Sequence, residues 1–291
     1  MIDEKVTPAE GVAQRRKYWA EQMDEASAFL DKTLQADLNE SAEPVVDLTD
    51  AIAPSLEVEF SYDRAAAGEG PTFYLRSSLV PDLVRVITEL RALSIGLRIE
   101  YAYRSPRLQA SLCSSDEVFG RVIDRVRWEA GTATPPFELV YQRLIVLCAN
   151  IYKFATHIAA AAVDITPIDL ESGTEIDRGG PFLELSEKTP MASPFVSPIA
   201  RRNRALVKGV FADHGFRAYP FEFWHFCAGD VYEAVLTGNR DAARFGPVTV
   251  DSGSGRVTAI PDPLSEIIPR KTMIDRIGRA LTKPDTPAKS R

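Results

Sequence analysis

The sequence predicts an α+β domain, one antiparallel sheet flanked by helices, and three observations carry that expectation. Stretches of period-two hydrophobicity, as in a half-buried strand, alternate with stretches of three- and four-residue spacing, as in an amphipathic helix. The strand-like stretches lie close enough along the chain to pair antiparallel, which favours helices packed on one sheet. No internal repeat is visible, and 291 residues with 45% hydrophobic content are enough for one large core with appendages. The expected division is an N-terminal helix and linker at 1–54, a main domain at 55–250 and a C-terminal extension at 251–291.

From Pro8 onward, Val12, Trp19, Met23, Ala26, Leu30 and Leu34 recur at helical steps, so a helix to about Leu34 should pack on the domain or on a partner. Residues 37–54 are acidic and punctuated by proline, as in a linker. Leu56, Val58, Phe60 and Tyr62 alternate with polar residues and predict a strand, followed by a turn from Gly68 to Pro71. Pro81 opens a helix through Leu83, Val86, Ile87, Leu90 and Leu93. Gly96 then breaks the run before a strand at Leu97, Ile99, Tyr101 and Tyr103, which delivers Arg104 at its end. Val118, Phe119, Val122 and Val126 predict a helix over 116–130, and a second apolar helix is expected from Phe137 to about Thr156. Ser172-Gly173, Gly179-Gly180-Pro181 and the prolines from Pro190 to Pro198 mark a long loop region of the kind that frames a site. Helix returns over 200–213, with Leu206, Val207, Val210 and Phe211 inward, Gly215 as its stop and His214 at the surface. A strand over 221–226 follows. Beyond Ser252 the pattern weakens, and the end of the basic tail at 270–291 is expected to be disordered.

A formal net charge of -7 and a pI near 5.2 argue against nucleic acid or an anionic membrane as the main partner, since both reward a basic face. Cys113, Cys148 and Cys227 are odd in number and lack zinc-ribbon or redox spacing, so reduced thiols in a cytoplasmic protein are expected. The start Met1-Ile2-Asp3-Glu4 has no basic region followed by an apolar run, and nowhere do about 18 apolar residues run together.

The chemistry concentrates in Tyr219-Pro220-Phe221-Glu222-Phe223-Trp224-His225-Phe226. A carboxylate and an imidazole set among aromatics are costly to bury unless something binds them, and a metal ion would. His157, with Asp164 seven residues later, can complete the set. Two histidines and a carboxylate leave an open coordination position, as in a catalytic zinc site, and Glu222 is then the natural general base. On a helix His157 and Asp164 would share a face, whereas on a continuous strand they would point apart. If both bind metal, an unbroken strand is excluded. Glu222 and His225 would likewise diverge on a flat strand, so a bend or bulge is needed between them.

Ala155-Thr156-His157-Ile158-Ala159-Ala160-Ala161-Ala162-Val163-Asp164 resembles the Ser-x-His-x-x-Gly-x-Ala-x-Asp motif of the zinc D-alanyl-D-alanine dipeptidases and carboxypeptidases, the family of the vancomycin-resistance dipeptidases. Glu222-Phe223-Trp224-His225 is similar to their Glu-x-Trp-His, and Ala102-Tyr103-Arg104-Ser105-Pro106 with Gln109 to their Tyr-Arg-Pro segment. Gly179-Gly180-Pro181-Phe182 and the stretch from Asn203-Arg204 through Gly215-Phe216 resemble further family segments, in the family's order from about Leu56 to about Glu233. The resemblance implies the hedgehog-like fold of the zinc D,D-peptidases and a Zn2+ ion held by His157, Asp164 and His225. It implies Glu222 as general base and acid, Arg104 facing the developing oxyanion, and Tyr103, Leu183 and Trp224 against the substrate, a small peptide or amide.

Ala155 stands where the family usually has serine, Ala160 where it has glycine, and Leu183 where the dipeptidases carry an aspartate for the substrate's ammonium. These departures imply a retained hydrolytic centre with a substrate other than free D-Ala-D-Ala, such as an N-blocked peptide or another small amide. Two other classes share the ligand set. A non-haem iron oxygenase uses the same triad, although its short His-x-Asp spacing is absent here and Glu222 would have no task. A protein that kept the metal but lost turnover would also fit.

Overall fold

The computed structural model describes residues 8–63 and 69–282; the expectations for Met1 to Glu4, for the turn beginning at Gly68 and for the end of the basic tail lie outside them. Helix α1 (Pro8–Gln35) buries Trp19, Met23, Ala26 and Leu30, the stripe that the periodicity marks. It packs on the body through Phe29, whose ring lies 5.2 Å from Tyr232, 5.6 Å from Tyr219 and 6.2 Å from Phe221. The acidic stretch that follows, expected as a linker, is built into the body as β1 (Val45–Asp47) and the single turn α2 (Leu48–Ala51). Arg76 explains this. Its buried guanidinium meets the Glu40 carboxylate at 2.9 and 3.0 Å and donates to the carbonyls of Glu43, Ala159 and Gly246. A buried charge persists only when paired and hydrogen-bonded, so the stretch supplies what the arginine requires.

Strand β2 (Glu59–Phe60) is shorter than the alternation suggested, with Tyr62 exposed, and β3 (Tyr74–Arg76) pairs antiparallel with β1. Helix α3 (Val80–Ala92) leads into β4 (Ile95–Tyr101). Next come α4 (Pro106–Ser114), which the hydrophobic pattern did not announce, and α5 (Asp116–Ala130), capped by the hydroxyls of Ser105 and Ser115 respectively. Helix α6 (Phe137–Cys148) stops short of Thr156 because Ala149 takes a left-handed conformation, φ 48°. Strand β5 (Ala162–Asp169) and helix α7 (Pro198–Asp213) follow. Leu206 on α7 faces solvent, since Ala200, Arg204, Val207 and Phe211 form the buried stripe and Leu206 lies off it. Strands β6 (Arg217–Ala218) and β7 (His225–Cys227) replace the longer strand expected over 221–226, whose first residues form a turn. Helix α8 (Val231–Thr237), the hairpin β8 (Val248–Val250) and β9 (Val257–Ala259), and α9 (Arg270–Thr282) complete the chain, α9 burying Met273 and Ile277 beside α5 and α6.

The main sheet runs in the order β2-β4-β5-β7-β6, antiparallel except between β2 and β4, so the protein is a mixed α/β structure. One slip in register positions the site. Ile99 pairs with Ile165 but Tyr101 pairs with Asp164, making Glu100 the extra residue of a bulge. Its buried carboxylate accepts from the hydroxyls of Ser61 and Thr166, both at 2.6 Å. Because an extra residue reverses the side-chain parity, Ile95, Leu97, Ile99 and then Ala102 enter the core beneath α3 and α7, and Tyr101 is released to the other face. Among the described residues no helix is long and apolar enough to cross a membrane, and Cys113, Cys148 and Cys227 are all buried free thiols.

Candidate active site

Asp164 on β5 lies directly opposite His225 on β7. Opposed residues of an antiparallel pair project to one face with Cβ atoms about 4.5–5.5 Å apart, so strand pairing alone sets the carboxylate against the imidazole. His225 Nδ1 is 3.0 Å from Asp164 Oδ1. His157 arrives from a 3-10 turn, Thr156–Ala159, and left-handed Ala160, φ 53°, swings the chain from that turn into β5. The interval from His157 to Asp164 is therefore neither one helix nor one strand, and both side chains reach one point. His157 Nε2 is 3.1 Å from Asp164 Oδ1, and the candidate ligand atoms of His157, Asp164 and His225 lie within 4.8 Å of one another, all buried. Asp164 Oδ2 accepts from Arg104 at 2.7 Å. The bend required between Glu222 and His225 is present: the Glu222 carbonyl accepts from the His225 N–H, and both side chains line one cavity.

That cavity, about 150 Å³, is bounded on one side by Tyr101, Arg104, His157, Asp164, Glu222 and His225. Its electrostatics are set by burial first. Burial and the Arg104 charge press His157 down to about 4, so its ring is neutral at neutral pH. Its Nδ1 lies 2.6 Å from the Ala102 carbonyl, which can only accept, so the proton sits on Nδ1 and Nε2 carries a lone pair. That lone pair is buried without a hydrogen bond, 3.1 Å from a carboxylate oxygen but outside hydrogen-bond alignment with it. Burial alone would raise Asp164, yet His157, His225 and Arg104 outweigh it and hold the carboxyl well below its usual range. Burial disfavours the His225 imidazolium, but Asp164 outweighs that and raises its pKa; the Thr156 hydroxyl, 3.1 Å from Nε2, can serve either tautomer. Glu222 has no such compensation. Burial and the neighbouring Asp164 charge push it up to about 7, although His225 and Arg104 pull the other way.

Comparison with known proteins bears on this cluster. A family model described as D-ala-D-ala dipeptidase matches residues 138–238, the span that holds His157, Asp164, Glu222 and His225. The D-alanyl-D-alanine dipeptidase of Escherichia coli (strain K12) is 28% identical over 188 residues, covering 62% of this chain and 83% of that protein. The protein of that name from Synechocystis sp. is 30% identical over 145 residues, 44% of this chain and 58% of its own length. That from Enterococcus faecium is 28% identical over 76 residues, 26% of this chain and 38% of its own. Over these spans the chain is similar to the D-Ala-D-Ala dipeptidases. These similarities indicate a peptidase, and the buried His-Asp-His cluster is competent to bind a metal.

The structure redistributes the residues expected at the substrate wall. Trp224 and Leu183 line the cavity, but Tyr103 does not: its hydroxyl donates to the Val248 carbonyl at 3.1 Å, and its ring is buried with Val45, Ala160 and Val248. Tyr101 takes the cavity position, its ring beneath the Arg104 guanidinium at 4.1 Å, because the bulge at Glu100 shifts the alternation that grouped it with Ile99. Gln109 also lines the cavity, 3.5 Å from Arg104. Ser105-Pro106, a cap followed by proline at the first helical position, was the available signal for the helix that carries it. Thr156 and the apolar residues Leu112, Val118, Val146 and Leu147 complete the lining and have no motif to mark them. His214 is turned away from the site and contacts Glu89 at 2.7 Å.

Proposed function

We propose that the chain hydrolyses the amide bond of a small D-Ala-D-Ala-like peptide, with Zn2+ held by His157, Asp164 and His225. The observation that carries this reading is the buried Nε2 lone pair of His157 facing a carboxylate oxygen at 3.1 Å. Two acceptors with no proton between them repel, and a cation at that point turns both into ligands. Two imidazole nitrogens and one carboxylate oxygen suit zinc and leave a position open to solvent or substrate. When bound, zinc supplies Lewis acidity, polarising a carbonyl and lowering the pKa of water from about 15.7 to about 7.

The protein's own groups do the rest. The Ala102 carbonyl fixes the tautomer of His157, and Asp164 divides its oxygens between the histidines and Arg104. Glu222 removes the proton from the attacking water and passes it to the leaving nitrogen, a task for which a carboxyl near neutral pKa is matched. Arg104, lying over Tyr101, presents its guanidinium to the oxygen of the tetrahedral intermediate. Trp224 and Leu183 form the wall against which the substrate lies. Leucine offers an ammonium no counter-charge, which favours an N-blocked peptide or another small amide over the free dipeptide. On this reading residues 55–250 form a catalytic domain of the zinc D,D-peptidase, hedgehog-like fold, flanked by segments 1–54 and 251–291. The three free thiols fit work in the cytoplasm.

The test is metal content of protein purified without added metal, together with turnover of a D,D-peptide panel by wild type and Glu222→Gln. We expect about one zinc per chain, retained in the variant, with kcat reduced roughly 10²–10⁴-fold. Iron in place of zinc, or unaltered turnover in Glu222→Gln, would sink the proposal.

A further inference from the structure

A second cavity of about 100 Å³ adjoins the catalytic one, and Val118, Leu147, Leu183, Glu222 and Trp224 line both. Val122 and Leu185 extend its wall away from the metal cluster. Apart from Glu222, its polar side chains have partners within the protein. Arg121 donates to the Leu183 carbonyl at 2.7 Å, the Ser186 hydroxyl bonds the Glu184 carboxylate, and the Thr189 hydroxyl donates to the Glu184 carbonyl at 2.7 Å. What remains for a ligand is an apolar surface, aliphatic but for Trp224, reached past Glu222.

Leu183 stands between the two spaces in an unusual state. Its φ is 61°, the left-handed region that side-chain-bearing residues avoid, and Arg121 holds its carbonyl from α5. Nothing in the loop itself requires leucine there, since glycine or asparagine would fit the backbone with less strain. Strain maintained at a cavity wall, with an external clamp to maintain it, belongs to a position selected for what its side chain contacts.

The geometry points to a specificity pocket. The substrate carries a branched aliphatic group beside its scissile amide, and that group passes Leu183 into the compartment bounded by Val122 and Leu185. A methyl group, as in alanine, leaves the compartment unfilled. This inference rests on the hydrolase reading, since it takes the amide to be seated against the His157, Asp164 and His225 cluster.

Hydroxamates bind a metal without being turned over, so they separate the pocket from catalysis. Acetohydroxamate, 3-methylbutanohydroxamate and 4-aminobutanohydroxamate would be titrated calorimetrically into zinc-loaded wild type and Leu185→Phe, a variant that fills only the second compartment. Each methylene removed from water is worth roughly fourfold in affinity. The branched compound should therefore bind at least tenfold more tightly than acetohydroxamate in wild type. In Leu185→Phe that advantage should fall below threefold, with acetohydroxamate unchanged. Equal affinities in wild type, an advantage that survives in the variant, or tightest binding by the amine would overturn the pocket. Protein that takes up no zinc and binds no hydroxamate overturns the hydrolase reading and this one with it. Should Leu185→Phe fail to fold, Leu185→Ala enlarges the same space. It should raise the affinity of cyclohexylacetohydroxamate relative to the 3-methylbutano compound at least threefold, and no change there is a failure.

Discussion

The two walls of the active-site cavity are built on different principles. The sheet wall, from β4, the turn before β5, β5 itself and β7, carries Arg104, His157, Asp164 and His225, with Glu222 on the adjoining turn. The helical wall, from α4, α5 and α6, carries Leu112, Val118, Val146 and Leu147, with Leu183 on the loop facing them. Charge sits on or beside paired strands, and shape sits where side chains alone define the space. On the proposed hydrolase reading, the comparison teaches that reaction type and substrate preference are separable, since each belongs to a different set of elements.

The largest effect should come from breaking the sheet wall at its centre. In Asp164→Asn the carboxylate that pairs Arg104 and His225 is gone, with little change in volume. Leaving the Arg104 cation without its buried partner should destabilise the metal-free protein by about 3–5 kcal/mol. Urea denaturation should show this as a lower midpoint, and zinc uptake should fail in the same variant. A midpoint within experimental error of wild type would mean that Arg104 finds solvent or another partner, and that the wall is less rigid than its geometry.

Arg104→Met sharpens the comparison, because it removes a charge from the wall while leaving all three candidate ligands in place, Asp164 losing only its Arg104 partner. If the guanidinium serves the tetrahedral oxygen, kcat should fall about 10²–10³-fold with KM and zinc content nearly unchanged. A rise in KM at constant kcat would make Arg104 a ground-state contact instead, and its place on the chemical wall would be lost.

Legibility in the sequence divides along the same line. His157, Asp164, Glu222 and His225 could be read because each is a rare residue type in an apolar setting and at a spacing that a metal explains. Their convergence follows from strand pairing and one turn. Tyr101 and Tyr103 could not be told apart, since hydrophobic alternation puts them on one face; the bulge at Glu100 turns Tyr101 off the face of Ile99, and the end of β4 at Tyr101 leaves Tyr103 to a separate course. The partner that stabilises that bulge, the Glu100 carboxylate between Ser61 and Thr166, joins residues remote in sequence. The helical wall was opaque for a plainer reason. Leu112, Val118 and Leu147 are ordinary apolar residues of amphipathic helices, and whether such a residue faces a core or a cavity is decided by its neighbours in space. The same limit hid α9 and the β8–β9 hairpin, where short elements depend on packing against the body.

A smaller effect concerns pH and tests how closed the two walls are. On the proposed mechanism Glu222 must be ionised to act as base, and burial pushes it from 4.5 up to about 7. Activity requires the deprotonated form, so kcat/KM should rise with pH and be lost tenfold per unit on the acid side. A cation at the cluster favours the carboxylate, which places the midpoint of that limb between 4.5 and about 7 in the zinc-loaded enzyme. The signs combine simply: burial moves the limb alkaline and metal moves it acid. A midpoint above 7 would contradict both, and one at 4.5 would show that water reaches Glu222 freely.

The smallest effect lies at Ala160, where the turn bearing His157 enters β5. Its φ of 53° forces a β-carbon into the left-handed region, and its N–H closes the turn on the His157 carbonyl while its own carbonyl accepts from Arg76. The backbone is thus held from both sides in a conformation that costs an alanine about 1–2 kcal/mol. Glycine at this position would relieve that strain, although the greater freedom of its unfolded chain returns roughly 0.5–1 kcal/mol. Ala160→Gly should therefore raise stability by about 1 kcal/mol or less, seen as a higher urea midpoint at unchanged slope, with zinc content and kcat as in wild type. A lower midpoint would mean that the Ala160 methyl, packed with Tyr103 and Val248, contributes more than the strain takes away. In that case the packing behind the sheet wall, rather than backbone pairing alone, holds His157 in place.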